Sequence, residues 1–227
     1  MTNLEALEKT VRTLRSPGGC PWDREQTHQS LTEHLIDECS ELLDTIDRGD
    51  MEHMREELGD VLLQVVMHAE IARESGHFDL DAVAGEINEK LIRRHPHVFG
   101  DEETRKHWDT ADKVLVKWDE IKAREKRDKG RKEEGLFKEL PPGQPSLLYA
   151  LALYKQVRKK KIPLNGHVDE KAVEEKAEGL TEERLGYELF QWVAAARRAK
   201  MDPEGALRRF TTTLREKLGH ENEGEAT

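Results

Sequence analysis

Two pairs of acidic residues stand at mirrored distances from a single glycine. Glu41 and Glu57 each lie eight positions from Gly49, while Glu38 and Asp60 each lie eleven. Glu38 and Glu41 are three residues apart, as are Glu57 and Asp60, which puts both members of each couple on one face of a helix. Gly49 belongs to Arg48-Gly49-Asp50, a short turn in which glycine suits the left-handed residue that ends a helix. A chain that reverses there brings all four carboxylates to the same height. At a rise of ~1.5 Å per residue, the inner pair sits ~12 Å from the turn. The constraint is therefore a helical hairpin with acids along its seam.

The rest of the sequence extends this helical pattern. Apolar residues make up 36% and charged residues 37%, aromatics are scarce at 5%, and runs of β-branched residues are nearly absent, which favours an all-α fold. Leu4, Leu7, Val11 and Leu14 predict a helix over 3–15. The proline- and glycine-rich stretch 16–24 breaks it. A second helix starts near Thr27 or Ser30 and runs to Arg48, carrying Leu31, Leu35, Leu42, Leu43 and Ile46. A third spans Met51 to Glu74 with Met54, Leu58, Val61, Leu62, Val65 and Ala69. Asp79 caps a fourth, which stops before His95 because a residue preceding proline leaves the helical region. Another helix holds Val114, Trp118 and Ile121.

Charge runs, glycines and three prolines mark 126–145 as a linker. Helical patterning resumes over 146–220, and 221–227 is an acidic tail. The second half echoes the first. Leu58, Gly59, Leu62, Gln64 and Val66 recur as Leu185, Gly186, Leu189, Gln191 and Val193. In that register Glu57 becomes Arg184 and Asp60 becomes Tyr187, so the second copy has lost two of its carboxylates.

Charge and cysteine content narrow the function. A formal net charge of −10 argues against nucleic acid as a partner, because phosphate backbones need a basic surface. No apolar run reaches the ~18 residues of a membrane span. Cys20 and Cys39 provide neither a disulfide framework nor a four-cysteine zinc site, and the absence of a signal-like N-terminus predicts a cytoplasmic protein.

Four converging acids repel one another unless a cation lies between them. Oxygen ligands suit hard dications, which predicts Mg²⁺, with Mn²⁺ as a substitute. The Glu-x-x-His pairs of di-iron bundles are missing. Surface acids on amphipathic helices are the common alternative, but the mirrored spacing and the flanking Leu35, Leu42, Leu58, Val61 and Leu62 favour a seam. His34, one turn before Glu38, is a candidate to reach a substrate, and the proton of an attacking water has three candidate acceptors that the sequence does not choose between: one of the cage acids, Glu56 or Asp37. Trp22 either stacks on a base or seals the core. His95 and His97 are read as structural residues at a helix stop, and Cys39 as a packing residue.

Asp37-Glu38-Cys39-Ser40-Glu41, Glu57-Leu58-Gly59-Asp60 and the run from Lys90 through Arg93, Arg94, His95, Pro96 and His97 to Phe99 together resemble the MazG family of nucleoside triphosphate pyrophosphohydrolases. The stretches from Gly19 to Thr27 and from Lys117 to Lys122 strengthen the likeness, which covers nearly all of 1–125. Asp37 departs from the family's usual Glu but keeps the charge. The resemblance implies an all-α fold of tandem MazG-like helical bundles, the second degenerate. It implies a homodimer that cleaves nucleoside triphosphates to the monophosphate and pyrophosphate with Mg²⁺ on Glu38, Glu41, Glu57 and Asp60. It further implies that Lys90, Arg93 and Arg94 contact phosphates and that Trp118 lines the nucleotide pocket. Cations at i, i+3 and i+4 do cluster on one side of a helix end, and arginine's planar fork suits phosphate oxygens. The alternatives are a dUTPase-like or phosphoribosyl-ATP pyrophosphohydrolase, or a non-catalytic nucleotide-sensing helical protein.

Overall fold

The computed structural model describes residues 1–102, 136–138, 140–141, 143–164 and 166–223, with single positions at 114, 118, 120, 121, 124, 125, 127 and 128. The described residues are helical, without strands. In chain order the helices are α1 (Asn3–Arg15), α2 (Pro21–Glu25), α3 (Leu31–Arg48), α4 (Met51–Glu74), α5 (Leu80–Arg94), α6 (Pro96–Phe99), α7 (Ser146–Lys160), α8 (Glu170–Ala177), α9 (Glu182–Arg198) and α10 (Pro203–Glu223). The expected helix around Val114, Trp118 and Ile121 lies largely outside the described residues, although those three positions are helical. Two compact units result, Met1–Lys122 and Ala123–Thr227.

In the first unit, local chemistry sets the helix ends. Thr2 and Glu5 form a reciprocal capping box on α1. Thr27 and Ser30 exchange side-chain to backbone bonds just before α3. Asp50 accepts from the His53 amide at 3.2 Å to cap α4, and Asp79 accepts from the Ala82 amide at 2.9 Å to cap α5. Gly49 takes φ 65° and ψ 25°, the left-handed conformation that lets α3 turn directly into α4. His95 fills the helix-stop role, its Nδ1 lying 2.7 Å from the Leu91 carbonyl.

The core of this unit gathers Val11 from α1, Leu31 from α3, Val66, Met67, Ala69 and Ile71 from α4, and Leu80 from α5. Val11, Leu31 and Val66 are essentially sealed, each worth about 1.5–3 kcal/mol on the area scale. The α3–α4 face carries a different set. Ile36, Leu43, Ile46, Leu58, Leu62 and Val65 hold helical phase, yet all six remain substantially exposed. Cys39 is exposed as well, contrary to its expected packing role, because its face of α3 is not covered.

The second unit has its own core of Phe137, Leu153, Val157, Ile162, Leu164 and Leu218. Ser146 ties the start of α7 to α10, its hydroxyl donating to Glu204 at 2.7 Å. No described helix is long and apolar enough to cross a membrane.

Candidate active site

The seam of the α3–α4 hairpin carries the acids. Glu38 and Glu41 project from α3 and Glu57 from α4, and the three bring carboxylate oxygens within 4.8 Å of one another. Asp60, one turn beyond Glu57 and one methylene shorter, acts electrostatically on both Glu38 and Glu57 and so belongs to the same cluster. The cage residues expected from mirrored spacing are thus brought together, three in ligand range of a common point.

Their electrostatics show the strain of this convergence. Burial first, and then the charges of Asp60, Glu41 and Glu57, push the Glu38 carboxyl above its ordinary value, while His34 pulls the other way. Glu57 is likewise raised, by desolvation and then by Glu41, Asp60 and Glu56. A cation at the centre would reverse each of these like-charge effects. An all-carboxylate donor set fits a hard, oxygen-seeking dication such as Mg²⁺.

The remaining sequence candidates fall around this centre. Glu56 is exposed beside Glu57, one residue off the seam. His34 lies one turn from Glu38, and the Trp22 ring stands edge-on to it at 5.6 Å and 75°. Trp22 is 53% exposed, which favours the stacking reading over the core-sealing one. Lys90, Arg93 and Arg94 occupy the last turns of α5, the helix that follows α4. Lys90 also borders a shallow depression with Phe78, Val83 and Ile87. Trp118 is half-buried, its ring 5.7 Å from that of His95.

The sequence did not single out two further residues on this seam. Glu57, Asp60, Gln64 and His68 follow one another at spacings of three and four, forming a single stripe on α4. Gln64 is buried, and its Oε1 has no hydrogen-bond partner among the described residues. His68 meets His28, from the segment before α3, with their Nδ1 atoms 2.7 Å apart. The stripe spacing could have pointed to His68, but the forty residues between the two histidines hid their pairing.

In the second unit, the positions that echo Glu57 and Asp60 hold a local ion pair instead. Arg184 donates to Glu188 of the same helix at 3.0 Å, and Tyr187 is exposed.

Residues 26–99 match the MazG nucleotide pyrophosphohydrolase domain, a span that holds the acids and the α5 cations. The nucleoside triphosphate pyrophosphohydrolase/pyrophosphatase MazG of Thermotoga maritima is 41% identical over 225 residues, covering 94% of this chain and 83% of that protein. A nucleoside triphosphate pyrophosphohydrolase of Escherichia coli strain K12 is 37% identical over 157 residues, covering 69% of this chain and 57% of that protein. One from Mycolicibacterium smegmatis is 40% identical over 152 residues, covering 66% and 44% respectively.

Proposed function

Because the chain belongs to the MazG family and is a nucleoside triphosphate pyrophosphohydrolase, we propose that its reaction takes place on Mg²⁺ at the α3–α4 carboxylate cluster. The products are the nucleoside monophosphate and pyrophosphate. The observation that carries the assignment is the convergence of Glu38, Glu41 and Glu57 within 4.8 Å, with Asp60 beside them. When bound, the ion supplies charge neutralisation to the phosphates and acidity to water.

The chain's own residues do the rest. Glu38, Glu41, Glu57 and Asp60 hold the ion, and Mn²⁺ is its substitute. Lys90, Arg93 and Arg94 grip phosphate oxygens and align the leaving pyrophosphate. One of the cage acids, or Glu56 or Asp37 next to them, accepts the proton of the attacking water. His34 contacts the substrate and Trp118 lines the nucleotide pocket.

The six exposed apolar residues along α3 and α4 support a homodimer in which a second copy covers that face. The reaction belongs to the first unit, and the second is a worn repeat that serves packing, dimerisation or regulation. Two unpaired cysteines suit a reducing cytoplasm.

The test is to incubate the protein with each ribo- and deoxyribonucleoside triphosphate, with and without Mg²⁺, and identify the products. Monophosphate and pyrophosphate, formed only with the ion, are expected. A diphosphate and orthophosphate would overturn the assignment.

A further inference from the structure

The segment from Pro21 to Ser30 decides where Trp22 stands beside His34, and it is held to α4 at two points. The first is Arg15, whose side chain is buried. Its Nη1 donates to the carbonyls of Asp23 and Gln26, while Nε and Nη2 grip Glu74 on α4 at 2.9 and 2.7 Å. Arginine keeps its charge at all ordinary pH values, so this anchor is permanent.

The second point is the contact between His28 and His68. Their ring planes differ by 1° and their centroids are 5.1 Å apart, yet the two Nδ1 atoms are only 2.7 Å apart. Stacked faces would bring many ring atoms close together. Here the short approach is nitrogen to nitrogen, so the rings meet edge to edge. That is the geometry of an Nδ1–H···Nδ1 hydrogen bond. Two rings sharing one metal ion would instead aim both lone pairs at a third point. The bond requires one ring with a bare Nδ1. A first proton can sit on the outer nitrogen of the donor ring without breaking the bond. A second must take the accepting Nδ1, and then two N–H groups oppose each other.

We propose that His28 and His68 form a proton-operated clasp that positions the Trp22–His34 end of the site for the nucleoside part of the substrate. This rests on the placement of the reaction at the carboxylate cluster. The surroundings suit the role. Burial, and then the charge of His28, hold His68 below its ordinary value, so His68 is kept neutral, as the ring with the bare Nδ1 must be. The carboxylates that follow His68 on α4 project from other faces of the helix and are engaged elsewhere. Glu70 is paired with Arg73 of α4 and Arg12 of α1, and Glu74 with Arg15. Neither is therefore left as a counter-ion to stabilise a charged His68. His28 and His68 touch no reacting atom in this scheme, so both are positioning residues.

Two measurements on the full chain test the clasp, and neither needs turnover. In histidine-labelled protein, magnetic resonance should show one Nδ1-bound proton shared between the two rings near neutral pH. It should disappear as the pH falls below about 6.5 and be missing from His28→Ala and His68→Ala. Calorimetry with a non-hydrolysable nucleoside triphosphate and Mg²⁺ should show affinity falling by up to about tenfold in His28→Ala, the scale of one lost hydrogen bond. His28→Asn, which retains a donor, should restore it. In steady-state assays the loss should appear in KM with kcat nearly unchanged. The low-pH rise in KM should also be smaller in His28→Ala than in the wild type. Absence of the shared proton in wild-type protein overturns the clasp. A shared proton together with unchanged affinity in His28→Ala overturns its positioning role. Both outcomes are distinct from a failure of the hydrolase assignment, which the product analysis decides separately.

Discussion

Glu38 on α3 and Glu57 on α4 come from different helices, yet each places a carboxylate oxygen within 4.8 Å of the other. Helices 8–10 Å apart can bring short acidic side chains this close only where both face the same seam. The approach is unfavourable for two anions alone, and both groups are raised above their ordinary values, first by burial and then by the surrounding carboxylates of the cluster. A site that keeps such a contact gains from it when a dication is present.

Removing one charge from the cluster should therefore disable the reaction without unfolding the hairpin. Glu41→Gln and Glu57→Gln are expected to lower kcat by at least about 100-fold, since partners outside the ligand set already cost 10–100-fold in metal sites. Helical circular dichroism should be unchanged, because the seam loses repulsion and not packing. Steady-state kinetics across a Mg²⁺ titration checks this, and activity close to wild type in either variant would remove the cluster from the mechanism.

The same raised values set a pH dependence. Glu38 and Glu57 bind protons more readily folded than unfolded, so the metal-free protein loses stability as pH rises from the ordinary carboxyl value of 4.5 through the raised folded values. Above that window the penalty is complete, though solvent screening keeps it modest. Mg²⁺ competes with those protons. The ion should raise the melting temperature at neutral pH and lose this effect as pH falls through the window. Thermal melts with and without Mg²⁺ at several pH values measure it, and the gain should shrink in Glu41→Gln.

Glu70 works in the opposite sense. It is buried, and hydrogen bonds from Arg73, together with the charges of Arg73 and Arg12, hold it below its ordinary value. Its contribution is present above the unfolded value of 4.5 and is lost as pH falls through the lower folded one. Glu70→Ala should cost about 1–3 kcal/mol, the range for a charge-assisted buried bond. Arg73 is partly solvated, which keeps the figure below that for stranding a fully buried ion. Urea unfolding at pH 7 gives the number, and the difference from wild type should narrow in acid.

The α3–α4 hairpin was legible because its determinants are local. A left-handed glycine, an aspartate cap and acids at fixed offsets all act within a few turns, and Gly49 and Asp50 behave as their types require. Gly49→Ala should accordingly cost about 1–2 kcal/mol from the left-handed backbone, although an added Cβ would meet nothing within 4 Å. Chemical denaturation would show this, and a neutral outcome would mean the turn relaxes. Less was legible where contacts join distant residues. Arg15 reaches Glu74 across 59 positions and His28 reaches His68 across 40, and no periodicity encodes either. Burial of the apolar stripes was also misjudged, since helical phase fixes which residues share a face but not whether anything covers it. Leu43 and Leu58 have the phase of core residues and remain exposed.

The second unit supplies the final contrast. Its acidic helix α8 carries Glu174 and Glu175, with Glu178 at its C-terminal cap, and Glu175 is met by Lys171 at 3.8 Å one turn away. On α9 the residue in the place of Glu57 is Arg184, which is neutralised by Glu188. Charges settled by neighbours on their own helix have no need of a metal ion, and exposed pairs of this kind contribute little stability. Glu175→Gln and Glu178→Gln should therefore leave kcat, Mg²⁺ dependence and melting temperature close to wild type, whereas Glu41→Gln abolishes turnover. Parallel assays of the three variants decide the point. A large loss of Mg²⁺-dependent activity in Glu175→Gln would show that the second half takes part in the chemistry, because Arg184 and Tyr187 offer no carboxylate and the missing ligands would have to come from elsewhere.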